Sequence, residues 1–467
     1  MKVLISGGVV VNATGAVTAD VLVEDDRIVG LCSVGSATSS WWREGADRVL
    51  DASGQYVIPG GIDGHTHMEM PFGGTQSMDT FETGTRAAAF GGTTTIIDFA
   101  IQSKGQSLRE GLDAWHAKAE GRCAIDYGFH MIVSDVNEQS LKEMDLLVDE
   151  GVSTFKLFMA YPGVFYSTDG EILQAMQQAS RNGSTIMMHA ENGIAIDVLV
   201  AQALARGEGD PRFHGVTRPA LLEGEATHRA IQLARVAGAP LYIVHLSASE
   251  ALEEVVAARD RGQSVFAETC PQYLFLSDDD MAREGLEGAK FVCSPPLRPE
   301  SHQSELWRGL RTDDLSLVST DHCPFCMKDQ KELGRGNFSK IPNGLPGVEH
   351  RMDLIFQGVI RGEISLTRWV EITSSAPAKM FGLAGKKGVI APGADADIVL
   401  YDPTATHTIS AANHHMNVDY SAYEGMSVVG KVTTVLSRGS VVIENDQYVG
   451  RAGSGQFLVR GLNGNLR

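Results

Sequence analysis

The chain has 467 residues, with 39 Lys+Arg against 58 Asp+Glu and a formal charge of −19. At roughly 150 residues per domain, that length suits about three domains or one large α/β barrel with appendages, and it buries a sizeable core without disulfide staples. The acidity, with no Lys/Arg-rich run, argues against a nucleic-acid or anionic-membrane partner, and six scattered Cys argue against a disulfide scaffold and suit a reducing cytosol.

The N-terminal run Val3 to Val11 is interrupted by Gly7 and Gly8 and has no signal-peptide pattern, and no stretch approaches the 18 or so apolar residues of a spanning helix. A cytoplasmic protein is expected. Short alternating runs (Val9–Asn12, Val21–Glu24, Ile28–Leu31) predict antiparallel strands, and the far end repeats the style at Asp397–Tyr401, Lys431–Val435 and Ser440–Glu444. Between them, apolar runs alternate with segments of helical period: 57–62, 94–99, 127–133, 152–158, 184–189, 241–246, 264–268 and 315–321. Eight such strands, each followed by room for a helix, predict a (β/α)8 TIM barrel. Ser247-Ala-Ser-Glu250 predicts a capping box opening a helix that Gly262 closes. The expected fold class is therefore α/β. The barrel occupies 57–387, and residues 1–56 and 388–467 pack together as one smaller discontinuous β-sandwich.

Functional residues of such barrels cluster at the C-terminal ends of the strands. Strand one ends in His65-Thr66-His67, strand four carries Lys156, strands five and six end at His189 and His245, and strand eight ends at Asp321. His-x-His on an extended strand puts both imidazoles on one face, where they can pinch a metal. Taken alone, each histidine also reads as a turn or core residue. Lys156 lies in an apolar run, where it either snorkels to solvent or loses its charge and becomes nucleophilic. A neutral amine of that kind captures carbon dioxide as a carbamate, whose two oxygens bridge two metals. A Schiff base is the competing chemistry, and it leaves four histidines unexplained. Imidazole and carboxylate ligands without thiolate suit Zn²⁺, with Mn²⁺, Co²⁺ or Fe²⁺ sharing the same ligand chemistry. Cys323-Pro-Phe-Cys326 lacks both a thioredoxin context and a second pair, and no dinucleotide or NTP motif occurs.

The motifs Pro59-Gly-Gly-Ile-Asp-Gly-His-Thr-His67, Phe155-Lys-Leu-Phe-Met-Ala-Tyr161, His189-Ala-Glu-Asn-Gly193, Ser294-Pro-Pro-Leu-Arg298, Ser319-Thr-Asp-His-Cys-Pro324 and His414-His-Met-Asn-Val-Asp-Tyr420 occur in this order. With them, nearly the whole chain resembles the hydantoinase/dihydropyrimidinase branch of the cyclic amidohydrolases. The resemblance implies hydrolysis of dihydropyrimidines and 5-substituted hydantoins to N-carbamoyl (β-)amino acids. It implies two divalent metal ions, expected to be Zn²⁺, with His65 and His67 on one, His189 and His245 on the other, and N6-carboxylated Lys156 as the bridge. Asp321 is expected to bind the first metal and shuttle the proton. Tyr161 donates to the oxyanion, Ser294 and Asn343 hold the ring's ureide edge, and Phe72, Phe158 and Phe165 gate the exocyclic substituent. It also implies a homotetramer assembled partly through the tail after about residue 420.

Dihydroorotase places an Arg two residues after His-x-His, where this chain has Met68-Glu69. An allantoinase-like cyclic amidohydrolase remains the alternative, although allantoinase lacks the Ser-Pro-Pro and Asn-Gly context. Non-enzymatic scaffolding relatives of dihydropyrimidinase lose the metal ligands, and all six ligand-type residues are present here.

Overall fold

The computed structural model describes residues 1–466. Apolar runs without a polar face form the inner strands Gly61–Thr66, Thr93–Ile101, Asp126–Ile132, Thr154–Phe158, Thr185–His189, Leu241–Ile243, Val265–Thr269 and Leu317–Val318. They pair in parallel in that order. Every residue in them except Phe266 is buried, as expected for a parallel sheet covered on both faces. Strands eight and one meet through a parallel bridge, Thr66 to His322, where the His67 N–H donates to the His322 carbonyl at 2.9 Å. The ring therefore closes at the end that carries the histidines and Asp321.

Three local readings are corrected. The run 57–62 is two strands. Tyr56–Pro59 pairs with the terminal sheet, and the barrel strand starts at Gly61. Strands six and eight are shorter than their apolar runs, because His245 (φ 40°) and Asp321 (φ 52°) turn into the left-handed region, which breaks the ladder. The helix after strand six spans Ser249–Asp260, but its N-cap is Ala248 with no side-chain cap. Ser247 instead donates its hydroxyl to buried Glu223 at 2.5 Å, so a tertiary partner outcompetes the local capping box. Capping boxes do open the helices Leu108–Ala119 (Ser107 with Glu110) and Asp169–Asn182 (Thr168 with Glu171).

Both chain ends contribute to one nine-stranded mixed sheet. Its N-terminal strands Lys2–Asn12, Gly15–Glu24, Arg27–Cys32, Arg48–Asp51 and Tyr56–Pro59 join Ile398–Thr408, Ser427–Ser437, Ser440–Glu444 and Gln447–Tyr448. This sheet has its own core, with Val3, Ile5, Val21, Leu50, Ile398 and Leu436 among its members. The tail then crosses the N-terminal end of the barrel. Tyr127 N–H donates to Gln456 O at 3.0 Å, Leu458 N–H to Tyr127 O at 2.7 Å, and Arg460 reaches Thr154 Oγ1 at 3.0 Å.

Candidate active site

The C-terminal ends of strands one, four, five, six and eight bring the predicted ligand residues to one mouth. Asp321 Oδ1 lies 3.2 Å from His65 Nε2 and 3.2 Å from His67 Nε2. Lys156 Nζ stands 3.0 Å from His65 Nε2, and His189 Nδ1 stands 2.9 Å from His245 Nε2. His65 and His245 share the centre, with ring centroids 5.4 Å apart.

Neighbouring acids set the orientation of these rings. Glu268 Oε1 faces His65 Nδ1 at 2.5 Å and Glu191 Oε2 faces His189 Nε2 at 2.8 Å, so the inner nitrogens, Nε2 of His65 and Nδ1 of His189, keep their lone pairs for the cavity. Tyr242 holds the second Glu268 oxygen at 2.7 Å. Neither acid was singled out from the sequence, although Glu268 ends a predicted strand and Glu191 lies two residues past His189. Phe99 also escaped notice. It stacks on His67 at 5.0 Å and lies 4.2 Å beneath Lys156 Nζ.

Electrostatically, the group suits a cation. Burial drives His65 and His245 well below the usual histidine range and lowers His67 as well, so all three are neutral bases. Burial also takes Lys156 down to about 8, against the pull of Asp321 and Glu268. It raises Glu268 to about 8, and a cation beside His65 is what would hold that carboxylate ionised. Two imidazole nitrogens facing each other at 2.9 Å, with His67 Nδ1 and His245 Nδ1 unpartnered in the interior, fit divalent cations rather than a closed hydrogen-bond network.

Above these side chains opens a small cavity of about 40 Å³. Tyr161, Ser294, Asn343, Phe72, Phe158 and Phe165 all line it, and Met70, Cys323 and Gly344 join them. Tyr161 sits at φ 61°, so three polar residues of the mouth occupy strained left-handed backbone, as is common where geometry serves function. Burial raises the Tyr161 phenol above its usual range, which keeps it a proton-bearing donor. Asn343 Nδ2 donates to Ser294 Oγ at 3.1 Å and links two loops across the cavity. Gly344 is needed for packing, since a Cβ there would meet Cys323 O at 2.2 Å. Phe158 stacks on Phe165 at 5.0 Å, and Phe72 meets Tyr161 edge-on at 5.4 Å. Among the described residues no arginine lines the cavity, and all six cysteines are free.

A closed parallel barrel with this histidine, lysine and aspartate set defines a hydrolase of the amidohydrolase class. The amidohydrolase family model matches residues 56–442. The chain is 68% identical to a D-hydantoinase of Streptomyces coelicolor over 459 residues, covering 98% of each protein. It is 48% identical to a D-hydantoinase of Geobacillus stearothermophilus over 468 residues, covering 100% of this chain and 98% of that one. A dihydropyrimidinase structure from Brevibacillus agri superposes with a TM-score of 0.96 at 49% identity, covering 99% of both chains. An L-hydantoinase structure from Arthrobacter aurescens superposes at 0.87 with 30% identity, covering 98% of this chain and 99% of that one. The chain belongs to the amidohydrolase family, in its hydantoinase/dihydropyrimidinase branch.

Proposed function

We propose that this hydrolase of cyclic amides opens 5-substituted hydantoins, with preference for the D-enantiomer, and dihydropyrimidines, to give N-carbamoyl (β-)amino acids. The observation that carries the reading is the convergence of Asp321 Oδ1 on the inner nitrogens of His65 and His67 at 3.2 Å each. The D-preference rests on the D-hydantoinases matched at 68% and 48% identity.

His65, His67 and Asp321 would hold one divalent cation and His189 and His245 a second, with a carboxylated Lys156 as a ligand they would share; zinc is the proposed metal. When bound, such a pair supplies Lewis acidity for water activation and carbonyl polarisation. The remaining steps belong to side chains. Asp321 accepts a proton from the attacking water as its oxygen bonds to the ring carbonyl carbon, then returns that proton to the ring nitrogen as the C–N bond breaks. Tyr161 donates its hydroxyl to the oxygen that gains charge at the tetrahedral stage. Backbone groups at Ser294 and Asn343 hold the ureide edge, and the three phenylalanines shield the exocyclic substituent from water. A cavity without an arginine suits a neutral ring and disfavours a carboxylate-bearing, orotate-like one. The protein is further proposed to work in the cytoplasm as a homotetramer.

The test is turnover of dihydrouracil and a panel of D- and L-5-substituted hydantoins by metal-replete protein. Ring opening of the D-hydantoins is expected. No turnover across the panel would overturn the reading, and faster turnover of the L-series would overturn the stereochemical part.

A further inference from the structure

The stretch that runs from Cys323-Pro-Phe-Cys326 to the short helix Lys331–Gly334 carries two buried polar side chains that the function above does not use. They are Gln330 and Lys331, 7% and 0% exposed. Neighbours in sequence, they reach different loops of the mouth. Gln330 Nε2 donates to Thr75 Oγ1 at 2.9 Å and to Gln76 O at 2.8 Å, while its Oε1 accepts the Cys326 N–H at 2.6 Å. Thr75 and Gln76 form the return strand of a hairpin whose outgoing strand, Pro71–Phe72, carries Phe72. Lys331 Nζ donates to Val292 O and to Gly344 O, each at 2.9 Å. Those carbonyls lie two residues before Ser294 and one residue after Asn343.

Burying an amine is costly, and burial takes Lys331 down to about 7. Charged or neutral, the amine keeps at least two N–H donors, one for each carbonyl. An apolar side chain would fill the same space without the desolvation cost, so what the amine adds is a fixed spacing between two loops. The Gly344 N–H also donates to Val292 O at 3.0 Å, and His214 Nε2 donates to Cys293 O at 2.7 Å. The backbone leading into Ser294 is thus held at successive carbonyls. The Lys331 N–H in turn donates to Cys326 O at 2.9 Å, so the Cys-x-x-Cys turn is the base from which both side chains extend. Neither Gln330 nor Lys331 lines the cavity, so each acts on it only through the loop it holds.

We propose that Gln330 and Lys331 are positioning residues that divide substrate recognition between them: Gln330 sets the Phe72 hairpin that reads the exocyclic substituent, and Lys331 sets the backbone that grips the ring. The assignment rests on the proposed hydrolysis of cyclic ureides. Its consequence is that specificity and ring affinity separate at two adjacent positions.

The test compares Gln330→Glu, which keeps the acceptor for Cys326 and loses the donors to the hairpin, with Lys331→Met, which removes both carbonyl bonds. Each metal-replete variant is assayed on dihydrouracil, which has no exocyclic group, and on D-5-phenylhydantoin. Gln330→Glu is expected to lower the phenylhydantoin-to-dihydrouracil ratio of kcat/KM by about 10-fold, as a displaced apolar wall does. Lys331→Met is expected to raise KM about 10-fold on both rings and to hold that ratio within about twofold, because the ring edge is gripped in ground and transition states alike. Amide hydrogen exchange should quicken at 71–77 in the first variant and at 292–294 and 343–345 in the second. A ratio that moves with Lys331→Met or stays put with Gln330→Glu overturns the division, as does exchange that quickens at both loops in either variant. If the native enzyme opens neither ring, the functional reading fails, and the exchange pattern still upholds or overturns the division of loops. If a variant does not fold, Gln330→Met and Lys331→Gln carry the same comparison.

Discussion

At the C-terminal mouth of the barrel, Lys156 is buried among His65, His245 and Asp321; at the opposite end, Lys387 is buried among Asp126, Asp395 and Asp397. Both groups gather metal-ligand side chains within a few ångströms, yet they are opposite in electrostatic design. Lys387 Nζ lies 2.6 Å from Asp126, 3.1 Å from Asp395 and 2.5 Å from Asp397, while Arg438 adds a bond to Asp126 at 3.0 Å and Arg27 pairs with Asp395. Burial opposes its charge, but the three carboxylates prevail and hold Lys387 above the ordinary lysine range. Among the described residues no carboxylate pairs directly with Lys156: Asp321 and Glu268 act on it from across His65, and the amine sits on the Phe99 face, so burial prevails and takes it down to about 8. Proximity of ligand-type residues therefore does not define a metal site. What defines it is whether the protein already supplies the cation. At Lys387 it does, and the cluster joins the third barrel strand to the terminal sheet; at Lys156 it does not.

The contrast can be broken most severely at Lys156. Lys156→Ala is expected to abolish hydrolysis and reduce bound metal while leaving the folded state at least as stable, because it removes a desolvated amine. Retained activity would show that this lysine is not the bridge. Lys387→Met should do the reverse: unfolding in urea shifts by about 3–5 kcal/mol, because three buried carboxylates lose their partner, while turnover per folded molecule is preserved. A smaller effect is expected for Glu268→Gln. The fold persists, but metal affinity measured by competition with a chelator falls by about 10–100-fold as His65 loses its orienting acid. The smallest effect sharpens the electrostatics. The stabilisation from a lysine whose folded pKa is raised is fully present below the unfolded value, near 10.4, and fades only as pH rises through the higher folded value. The stability gap between native protein and Lys387→Met should therefore stay flat from about pH 7 to about pH 10, and a gap that closes in that interval would show that the lysine is not held protonated.

Much of the candidate site was legible because functional side chains of such barrels cluster at strand ends and apolar runs mark the strands. His65, His67, Lys156, His189, His245 and Asp321 each lie at such an end, and alternation alone places His65 and His67 on one face. Glu191, Glu268 and Phe99 were less visible, since an acid or a phenylalanine near a strand end is ordinary until its partner is known. The terminal sheet shows the same limit. Its strands were readable from alternation, but the path that inserts Tyr56–Pro59 between Lys2–Asn12 and Ile398–Thr408 joins residues more than 300 positions apart.

The sequence by itself determined the strand and helix order, the barrel class and the chemical types at its mouth, because periodicity and residue chemistry are local properties. Only the tertiary structure decided which charges are paired. Ser247 turns from its own helix to Glu223, and Lys387 meets an aspartate 261 residues away. The cost of burying a charge depends on what surrounds it in space, and no local pattern carries that information.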